Sequence, residues 1–409
     1  MDTPTFRPAP YFDPKELRVE LTALFNAHGT SAEARPAVLD RCKRLVKAAR
    51  QLAREQLEAD GKGRKCAHGL ARFQDELIAL LFDYTVAHVY RATNPSDAER
   101  MSVVATGGYG RGLLAPGSDI DILFLLPYKQ TPWGESVAEY MLYLLWDLGF
   151  KVGHATRTVD QCLKMAQQDM TIRTALLDIW LVHGDAQLFA ELTDRLRREV
   201  FTGTARTFID SKMAERDERH RRAGESRYKV EPNVKDGKGG LRDLHTLHWL
   251  SKYLYGKEVG PETIEEKIFT SEEYSTFRRA EDFLWSVRCH LHFLTGRAEE
   301  RLTFELQPAM AERLGYRTKS GQRPVERFMK HYFLVTKSVG DLTAILCAAL
   351  EMQQAKTSPG LPGFISGWKL RRQVRQLTDF RIENDRLNVA DSEVFKRDPV
   401  NLIRFFAQA

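Results

Sequence analysis

The segment that most constrains the fold of this chain joins two short apolar runs through a glycine-rich stretch. Five glycines fall between positions 107 and 117, and the second apolar run begins at Asp119 and ends at Leu126. Apolar runs separated by glycines are typical of two strands joined by a turn. In a strand, Asp119 and Asp121 project from the same face, because side chains alternate between the two faces. The segment therefore predicts a strand, a turn and a strand, with two carboxylates together at one edge.

Paired carboxylates beside a glycine-rich turn suit a ligand that carries phosphates. Like charges held this close repel each other, and one pKa rises unless a cation neutralises them. Carboxylate oxygens suit Mg²⁺, with Mn²⁺ as the alternative, and Mg²⁺ usually completes its octahedron with substrate phosphates. The lack of a Cβ at Gly107 and Gly108 lets backbone N–H groups approach phosphate oxygens, and Arg111 adds a planar cationic fork. We therefore predict a metal-bound triphosphate, with Asp119 and Asp121 as the metal ligands.

The alternative for either feature alone is an ordinary hairpin or a solvated strand edge that carries two acids. The two features together favour the phosphate site. Two familiar nucleotide-binding motifs do not account for it, because the sequence has no GxxxxGK[ST] loop and its glycines lead into a strand rather than a helix. The sequence thus predicts a nucleotide site outside the P-loop and Rossmann classes.

Composition excludes several other classes of protein. The chain of 409 residues has room for two or three domains, and 43% apolar with 28% charged residues is ordinary for a globular protein. A net charge of +6 over this length is a weak basic footprint, which disfavours a nucleic-acid partner. Five scattered cysteines without a CxxC pair argue against a disulfide framework or a zinc site. No signal-peptide pattern or membrane-length apolar run occurs, so we expect a cytoplasmic protein without a membrane partner.

The spacing of apolar residues predicts an α+β chain that is mainly helical. Three helices are expected before residue 97, separated by glycine-containing breaks. A helix over 137–148 and a strand over 151–158 complete a small mixed sheet with flanking helices, and nearly everything beyond residue 160 has helical period. The predicted domains are a helical N-terminal region (1–97), a mixed-sheet domain (98–190), a helical bundle domain (191–355), and a linker, rich in proline and glycine over 358–363, that opens a further domain (356–409).

A second glycine-rich motif interrupts the helical region. Gly239 and Gly240 directly precede a helix that begins near Leu241, and Lys235 and Lys238 lie just before them. Backbone N–H groups at a helix start favour anions, so this segment is a candidate to close over a triphosphate or a base. The alternative is a plain helix-initiating loop whose lysines face water.

Together these motifs resemble a known family. The glycine segment, with Ser118-Asp119-Ile120-Asp121 and an apolar strand, is similar to the nucleotidyltransferase superfamily that includes DNA polymerase beta. Other motifs resemble the bacterial PII uridylyltransferase/uridylyl-removing enzymes, over about residues 75 to 409. These motifs are His220-Arg221, Tyr228, Glu231 to Lys235 running into Gly239 to His245, Trp146 to Gly149, Val152 to His154 with Arg157-Thr158, and Pro324 to Met329.

The resemblance implies Mg²⁺-dependent transfer of UMP from UTP to a tyrosine hydroxyl of the PII nitrogen-signalling protein, with release of pyrophosphate. In this family a uridylyl-removing hydrolase domain and glutamine-sensing domains follow the transferase part. The chain stops at Ala409, before any such pattern, so we expect it to contain the transferase part alone, cut within the next domain. The residues that the resemblance assigns to the nucleotide are Gly107, Gly108, Arg111, Ser118, Lys235, Gly239 and Gly240, with Asp119 and Asp121 on the metal.

One feature of the superfamily has no match in the sequence. Its members usually supply a third carboxylate from a later strand, where this chain offers His154. Asp178 is a candidate, although we expect it on a solvated helix surface. Two alternatives therefore stay open: an adenylyltransferase that acts on glutamine synthetase, and a nucleotide-binding regulatory module without catalytic activity. The residues of the motif between Glu231 and Asp243 favour uridylyl transfer.

Overall fold

The computed structural model describes residues 11–92, 96–224, 228–256, 259–261, 270–356, 380–383 and 386–389. By its contacts the chain divides into two compact units, Met1–Thr343 and Ala344–Ala409. The first unit contains the sheet, the helices around it and every site described below. No helix among the described residues has the length and apolar character needed to cross a membrane.

The N-terminal region forms three helices, as predicted. Asp13 caps the first helix and Thr30 the second, each by accepting a backbone N–H with its side chain. Gly29 and Gly61 end these helices in the left-handed conformation that glycine adopts without steric cost. The helices are α1 (Pro14–His28), α2 (Ser31–Asp60) and α3 (Gly63–Tyr84), the last continued by a π-helical turn at Thr85–Val89.

A mixed four-stranded sheet follows, which confirms the predicted fold class. Its strand order is β3-β2-β1-β4, with β2 and β3 parallel and both neighbours of β1 antiparallel to it. The sheet elements and their helices are β1 (Ser102–Thr106), α4 (Gly107–Gly110), β2 (Ile120–Leu126), α5 (Pro132–Asp147), β3 (Val152–Thr158), α6 (Val159–Gln168), α7 (Met170–Leu177), β4 (Ile179–Gly184) and α8 (Ala186–Arg195).

The fourth strand corrects the expectation that nearly everything beyond residue 160 is helical. β4 pairs antiparallel with β1, and its first residue directly follows the last turn of α7 and Asp178. Its apolar run is only four residues long, and no glycine or proline separates it from the preceding helix. The residue pattern therefore does not distinguish a strand here from a continuation of the helix. The sheet thus gains an edge strand that the sequence did not predict.

One face of the sheet packs against the helices that follow β3. Val104, Leu123 and Leu125 from the two central strands lie in one buried cluster with Cys162 of α6 and Leu188 of α8. The alternation of side chains along β2 places Asp121 on this same face, beyond the end of the apolar cluster. The packing therefore fixes the strand whose first residues carry the two acids.

The rest of the first unit is helical, as predicted. The apolar stripe of the long helix α11 is fully buried at Leu284, Val287 and Leu291, so it forms core. The helices are α9 (Ala205–Arg222), α10 (Leu241–Tyr255), α11 (Ser271–Thr295), α12 (Gln307–Arg313) and α13 (Pro324–Lys356).

The second unit holds the C-terminal end of α13 and a two-stranded antiparallel ribbon, β5 (Phe380–Glu383) and β6 (Arg386–Val389). The predicted linker over 358–363, like most of the predicted domain 356–409, lies outside the described residues. The domain boundaries given above stay predictions.

Candidate active site

A cavity of about 1110 Å³ opens where the glycine segment meets the helical region. Segments from both parts of the chain line it, including α9, the loop before α10 and the loop after α11. Seven of the nine residues predicted from the sequence lie on its wall: Gly107, Gly108, Arg111, Ser118, Asp119, Asp121 and Lys235. The fold therefore brings two motifs more than a hundred residues apart in the chain to one cavity.

The two predicted metal-binding carboxylates face this cavity together. Asp119 precedes β2 and Asp121 is its second residue, and both side chains are exposed to the cavity. Partial burial raises the pKa of Asp121, because it removes water that would solvate the charged carboxylate. The negative charge of Asp119 raises the pKa further, and the positive charge of Lys235 lowers it. The pair thus has the electrostatic character of two acids that lack a neutralising cation.

The other acids of the cavity differ from this pair, because each has a cationic partner. Glu300 lies 2.6 Å from Arg288, and Glu231 lies 3.0 Å from Arg301. Asp119 and Asp121 form no side-chain hydrogen bond or ion pair with any described residue of the chain. The remaining pairs are Glu215 with Lys212, Glu218 with Arg222, and Asp236 with Arg242.

A glycine on the neighbouring strand makes room for Asp121. Gly153 of β3 is its register partner, and a Cβ atom at Gly153 would lie 2.4 Å from Asp121 Oδ1. Real Cβ atoms do not approach an oxygen so closely, so any other residue at 153 would turn the carboxylate aside. From the sequence this glycine is only part of a motif, since its role depends on strand register.

Strand β3 supplies no third acid beside this pair. The position next to Asp121 on β3 is Gly153, and His154 pairs with Ile122 on the opposite face, where its ring contacts Trp146. Among the described residues no group of three or more His, Cys, Asp or Glu side chains is arranged to hold a metal ion.

Lys235 supplies an available positive charge. It lies in the loop before α10, and its ammonium group forms no hydrogen bond or ion pair within the described part of the chain. Burial lowers its pKa, and the nearby charges of Arg288 and Arg242 lower it further. A cation crowded by other cations would gain stability from an anionic ligand.

Arg111 is held more firmly than the sequence suggested. Its side chain is only 7% exposed, and Nη1 donates to Asp178 Oδ2 over 2.6 Å. Nη2 lies 3.4 Å from His245 Nδ1. Both Nη atoms therefore have a partner in the protein, although Arg111 also lines the cavity and a Cβ at Gly108 would lie 3.7 Å from Nη2.

The expectation for Asp178 was wrong, because this residue is fully buried rather than on a solvated helix surface. It lies between α7 and β4, where Arg111, Trp249 and Lys252 donate to its carboxylate and His248 lies 3.2 Å from it. Burial alone would raise its pKa, but Lys252 and Arg111 hold the pKa well below the ordinary value. Asp178 therefore joins the sheet to α10. The apolar residues that precede and follow it in the sequence could have indicated that it is buried.

The structure does not bring Gly239 and Gly240 into the cavity. Gly239 donates its N–H to Asp243 Oδ2 over 2.7 Å, and Gly240 donates to Gly237 O over 2.8 Å. Both residues are buried, and a Cβ at Gly239 would lie 2.1 Å from Thr336 O. These N–H groups are used inside the protein, so the segment presents Lys235 rather than its glycine amides.

Asp243 is a further buried residue whose role was not predicted from the sequence. It is fully buried and accepts hydrogen bonds from Arg219 at 2.5 Å and Gly239 at 2.7 Å, with His220 Nε2 at 2.9 Å. Burial would raise its pKa, but His220 and Arg219 lower it. This contact explains why the His220-Arg221 motif of α9 accompanies the glycine pair, and its role is structural.

Comparison with known proteins agrees with this geometry. Residues 94–173 match the family model described as a nucleotidyltransferase domain, and residues 207–347 match the one described as GlnD PII-uridylyltransferase. The chain is 56% identical over 413 residues to a bifunctional uridylyltransferase/uridylyl-removing enzyme from a Bradyrhizobium strain, which covers 100% of this chain and 44% of the relative. The enzyme of the same name from Rhodopseudomonas palustris is 55% identical over 402 residues, or 97% of this chain and 43% of the relative.

The chain thus spans less than half the length of these relatives, and its similarity lies in their N-terminal part. The two family models match the two portions of the chain that meet at the cavity, the sheet with its glycine segment and the helical region. On this basis the chain belongs to the PII-uridylyltransferase family and carries its nucleotidyltransferase domain.

Proposed function

We propose that this chain is a cytoplasmic nucleotidyltransferase that transfers UMP from UTP to a tyrosine hydroxyl of a PII signalling protein. The phenolic hydroxyl loses its proton to water and its oxygen bonds to the α-phosphorus, while the bond from the α-phosphorus to the α–β bridging oxygen breaks and pyrophosphate leaves. The observation that supports this most directly is the pair Asp119 and Asp121, the acids of the cavity that have no cationic partner among the described residues.

The residues present fit a divalent cation. Two carboxylates face one space, the pKa of Asp121 is raised, and Gly153 leaves its carboxylate room that a Cβ would fill. We assign Mg²⁺, or Mn²⁺ in its place, to Asp119 and Asp121, because these are oxygen ligands and the site would share the ion with phosphates. When bound, the ion neutralises negative charge on the phosphates and on the leaving group.

The remaining groups of the cavity bind and orient the nucleotide. Lys235 faces the acids from the helical side and would neutralise phosphate oxygens. Gly107 and Gly108 permit close approach of the triphosphate to the backbone, and Ser118 presents its hydroxyl beside them. Fixing the triphosphate between Lys235 and the two acids places the α-phosphorus for in-line attack, which is how such transfers gain most of their rate.

The choice of nucleotide and acceptor comes from the relatives. Both relatives named above are called uridylyltransferases, and the matching model is described as a PII-uridylyltransferase. This supports UTP and PII over the alternative of adenylyl transfer to glutamine synthetase. The names of these relatives, which describe enzymes, also favour catalysis over a nucleotide-binding module without catalytic activity.

The first test is a transfer assay with purified PII protein, radiolabelled UTP or ATP, and Mg²⁺ or Mn²⁺. We expect label from UTP on PII, and a fall of at least about 100-fold in Asp119→Asn, because loss of a preorganised charge typically costs that much. The matched control is Asp40→Asn, which removes an exposed carboxylate on α2 that pairs only with Arg44.

Three outcomes of this assay would contradict the proposal. Transfer from ATP in preference to UTP would assign a different nucleotide. Full activity of Asp119→Asn with an unchanged melting temperature would remove the carboxylate pair from the site. Nucleotide binding by calorimetry without any release of pyrophosphate would favour the regulatory module.

A further inference from the structure

The loop that leads into the two acids is held from the helical region by one cluster of charged side chains. Arg288 of α11 is 7% exposed and donates through Nε and Nη2 to Glu300, at 2.9 and 2.6 Å. Nη2 also lies 3.4 Å from Ser118 Oγ, which in turn accepts the N–H of Ala115. The arginine therefore reaches from α11 to the residue just before Asp119.

A second contact fixes the backbone of the same loop. His292, one turn beyond Arg288, accepts the N–H of Gly117 at Nδ1 over 3.1 Å. A nitrogen that accepts carries no proton, so the imidazole is neutral with its proton on Nε2. Nε2 lies 3.4 Å from Glu300 Oε1, so the same glutamate faces both Arg288 and His292.

The loop after α11 packs directly against this backbone. A Cβ at Gly117 would lie 2.8 Å from the backbone nitrogen of Ala298, closer than real Cβ atoms come to backbone. The glycine at 117 is therefore required by contact with the helical region. It does not contribute to the turn conformation, since its φ is not in the left-handed region.

The same loop also holds the segment that carries Lys235. Val234 donates its N–H to the backbone oxygen of Glu300 over 2.8 Å, and Leu302 donates to Pro232 O over 2.9 Å. Val234 is fully buried, which anchors its neighbour in the chain. Glu300 thus contacts Arg288 and His292 through its side chain and Val234 through its backbone.

We propose that Arg288, His292 and Glu300 are positioning residues that set the distance between the acid pair, through Ser118 and Gly117, and Lys235, through Val234. The proposal rests on the proposed function, because it assigns these side chains to the arrangement that receives the metal-bound triphosphate. Their contacts run to residues that neighbour Asp119 and Lys235 in the chain. They act through those residues and need not touch substrate.

The direct test is hydrogen–deuterium exchange of the segment 113–121 in the full chain. His292→Leu removes the acceptor for Gly117 N–H, so we expect exchange in this segment to become about tenfold faster, the effect of one lost hydrogen bond. His292→Asn places an amide oxygen near the former Nδ1 position and should restore most of the protection. The matched control is His290→Leu, a buried histidine on the same helix that lines a separate cavity.

The second readout is the concentration of Mn²⁺ that half-saturates the protein in the presence of UTP, measured by electron paramagnetic resonance. We expect His292→Leu to raise this concentration about fivefold to tenfold, because misplaced ligands bind more weakly. His292→Asn and His290→Leu should stay close to the wild type. In transfer assays the same pattern should appear in the KM for UTP.

The possible failures are distinguishable. If the wild type binds no Mn²⁺ with UTP, the proposed function fails, whatever the exchange data show. If the wild type binds Mn²⁺ and His292→Leu matches it in both exchange and Mn²⁺ binding, the positioning role is overturned. Equal losses in His292→Leu and His290→Leu, or no rescue by His292→Asn, would also overturn it, because a general loss of stability then explains the effect.

Discussion

Gly153 has no side chain, and we expect this to be essential for activity. It faces Asp121 across the parallel pair β2 and β3, where a Cβ would come within 2.4 Å of the carboxylate. The atom it would strike is the end of a mobile side chain, so the strand can stay in place while the carboxylate rotates. Substitution here should therefore separate activity from folding.

We predict that Gly153→Ala lowers nucleotidyl transfer by about 100-fold, the typical effect of moving a reacting group by about 1 Å. The melting temperature should change little, because the clash is relieved by one χ rotation of Asp121. A steady-state transfer assay and thermal unfolding on the same preparation check both parts.

The control for this prediction is His154→Ala, the next residue on the strand. His154 lies on the opposite face of the sheet from Asp121 and contacts Trp146, so its removal should leave transfer within about twofold of the wild type. A large loss in His154→Ala, or full activity in Gly153→Ala, would contradict the arrangement described here.

At the residue scale, the sequence predicted those site residues whose role depends on near neighbours in the chain. Asp119 and Asp121 could be paired by strand alternation alone, and Lys235 by its place before a helix. Asp178 and Arg288 could not be assigned to the site from the sequence. The hydrogen-bond partners of Asp178 lie 67 residues or more away in the chain, and Ser118, which Arg288 contacts, lies 170 residues from it. Only the folded chain brings such groups together.

At the scale of elements, the sheet depends on a contact at the end of β4 that periodicity does not indicate. Asp185 caps α8 by accepting the N–H of Leu188 over 2.9 Å, and Arg100 donates to both of its oxygens at 2.6 and 3.1 Å. The hydroxyl of Ser102, the first residue of β1, donates to the backbone oxygen of Asp185. A single aspartate thus joins a helix start to two strands.

This contact predicts a pH-dependent part of the stability. The hydrogen bonds from Arg100 lower the pKa of Asp185 to about 2, below its value in an unfolded chain. The stabilisation is therefore complete above about pH 4 and is lost as the pH falls toward 2. We predict that Asp185→Asn lowers the free energy of unfolding by about 1 kcal/mol at pH 7, since solvent screens the partly exposed pair.

Urea unfolding between pH 7 and pH 3 checks this, and the difference between wild type and Asp185→Asn should narrow toward the acid end. Asp194→Asn, an exposed residue on the same helix, should change stability by less than about 0.5 kcal/mol at every pH. A difference between wild type and Asp185→Asn that stays constant with pH would show that the charge of Asp185 is not involved.

The predicted and observed elements differ where contacts between elements override local pattern. The three N-terminal helices followed from their glycine breaks, and β1 and β2 from apolar runs next to glycines. Strand β3 was predicted over 151–158, after the glycine that closes the preceding helix. β4 was missed because Ile179 to Gly184 follows α7 without a break and is stabilised by pairing with β1. The single helical turn at Gly107–Gly110 was also not predicted, because three of its four residues are glycine, which disfavours helix.

At the scale of the whole molecule, the sheet and the helical region depend on each other through buried charge. Asp178 has its partners Trp249 and Lys252 on α10, and Gly117 has His292 on α11. Removing α10 would take away three of the four groups that contact the Asp178 carboxylate and leave only Arg111, and loss of a partner from a buried ion pair typically costs about 3 to 5 kcal/mol. This is a large fraction of the stability of an ordinary domain.

We therefore predict that a fragment spanning the predicted domain 98–190 does not fold alone. Expressed by itself, it should lack a cooperative thermal transition by circular dichroism, whereas the chain from 11 to 356 should show one. A sharp transition in the fragment would contradict the prediction.

Because β3 is an edge strand of the sheet, its position affects how a reactant can reach the two acids. Only one strand separates Asp121 from that margin, and the residue beside it is Gly153, which presents no side chain. Under the proposed function, this glycine leaves space for one protruding side chain of a protein acceptor to reach the acids from the β3 side. The nucleotide would occupy the cavity, and the two proposed substrates would not share one route.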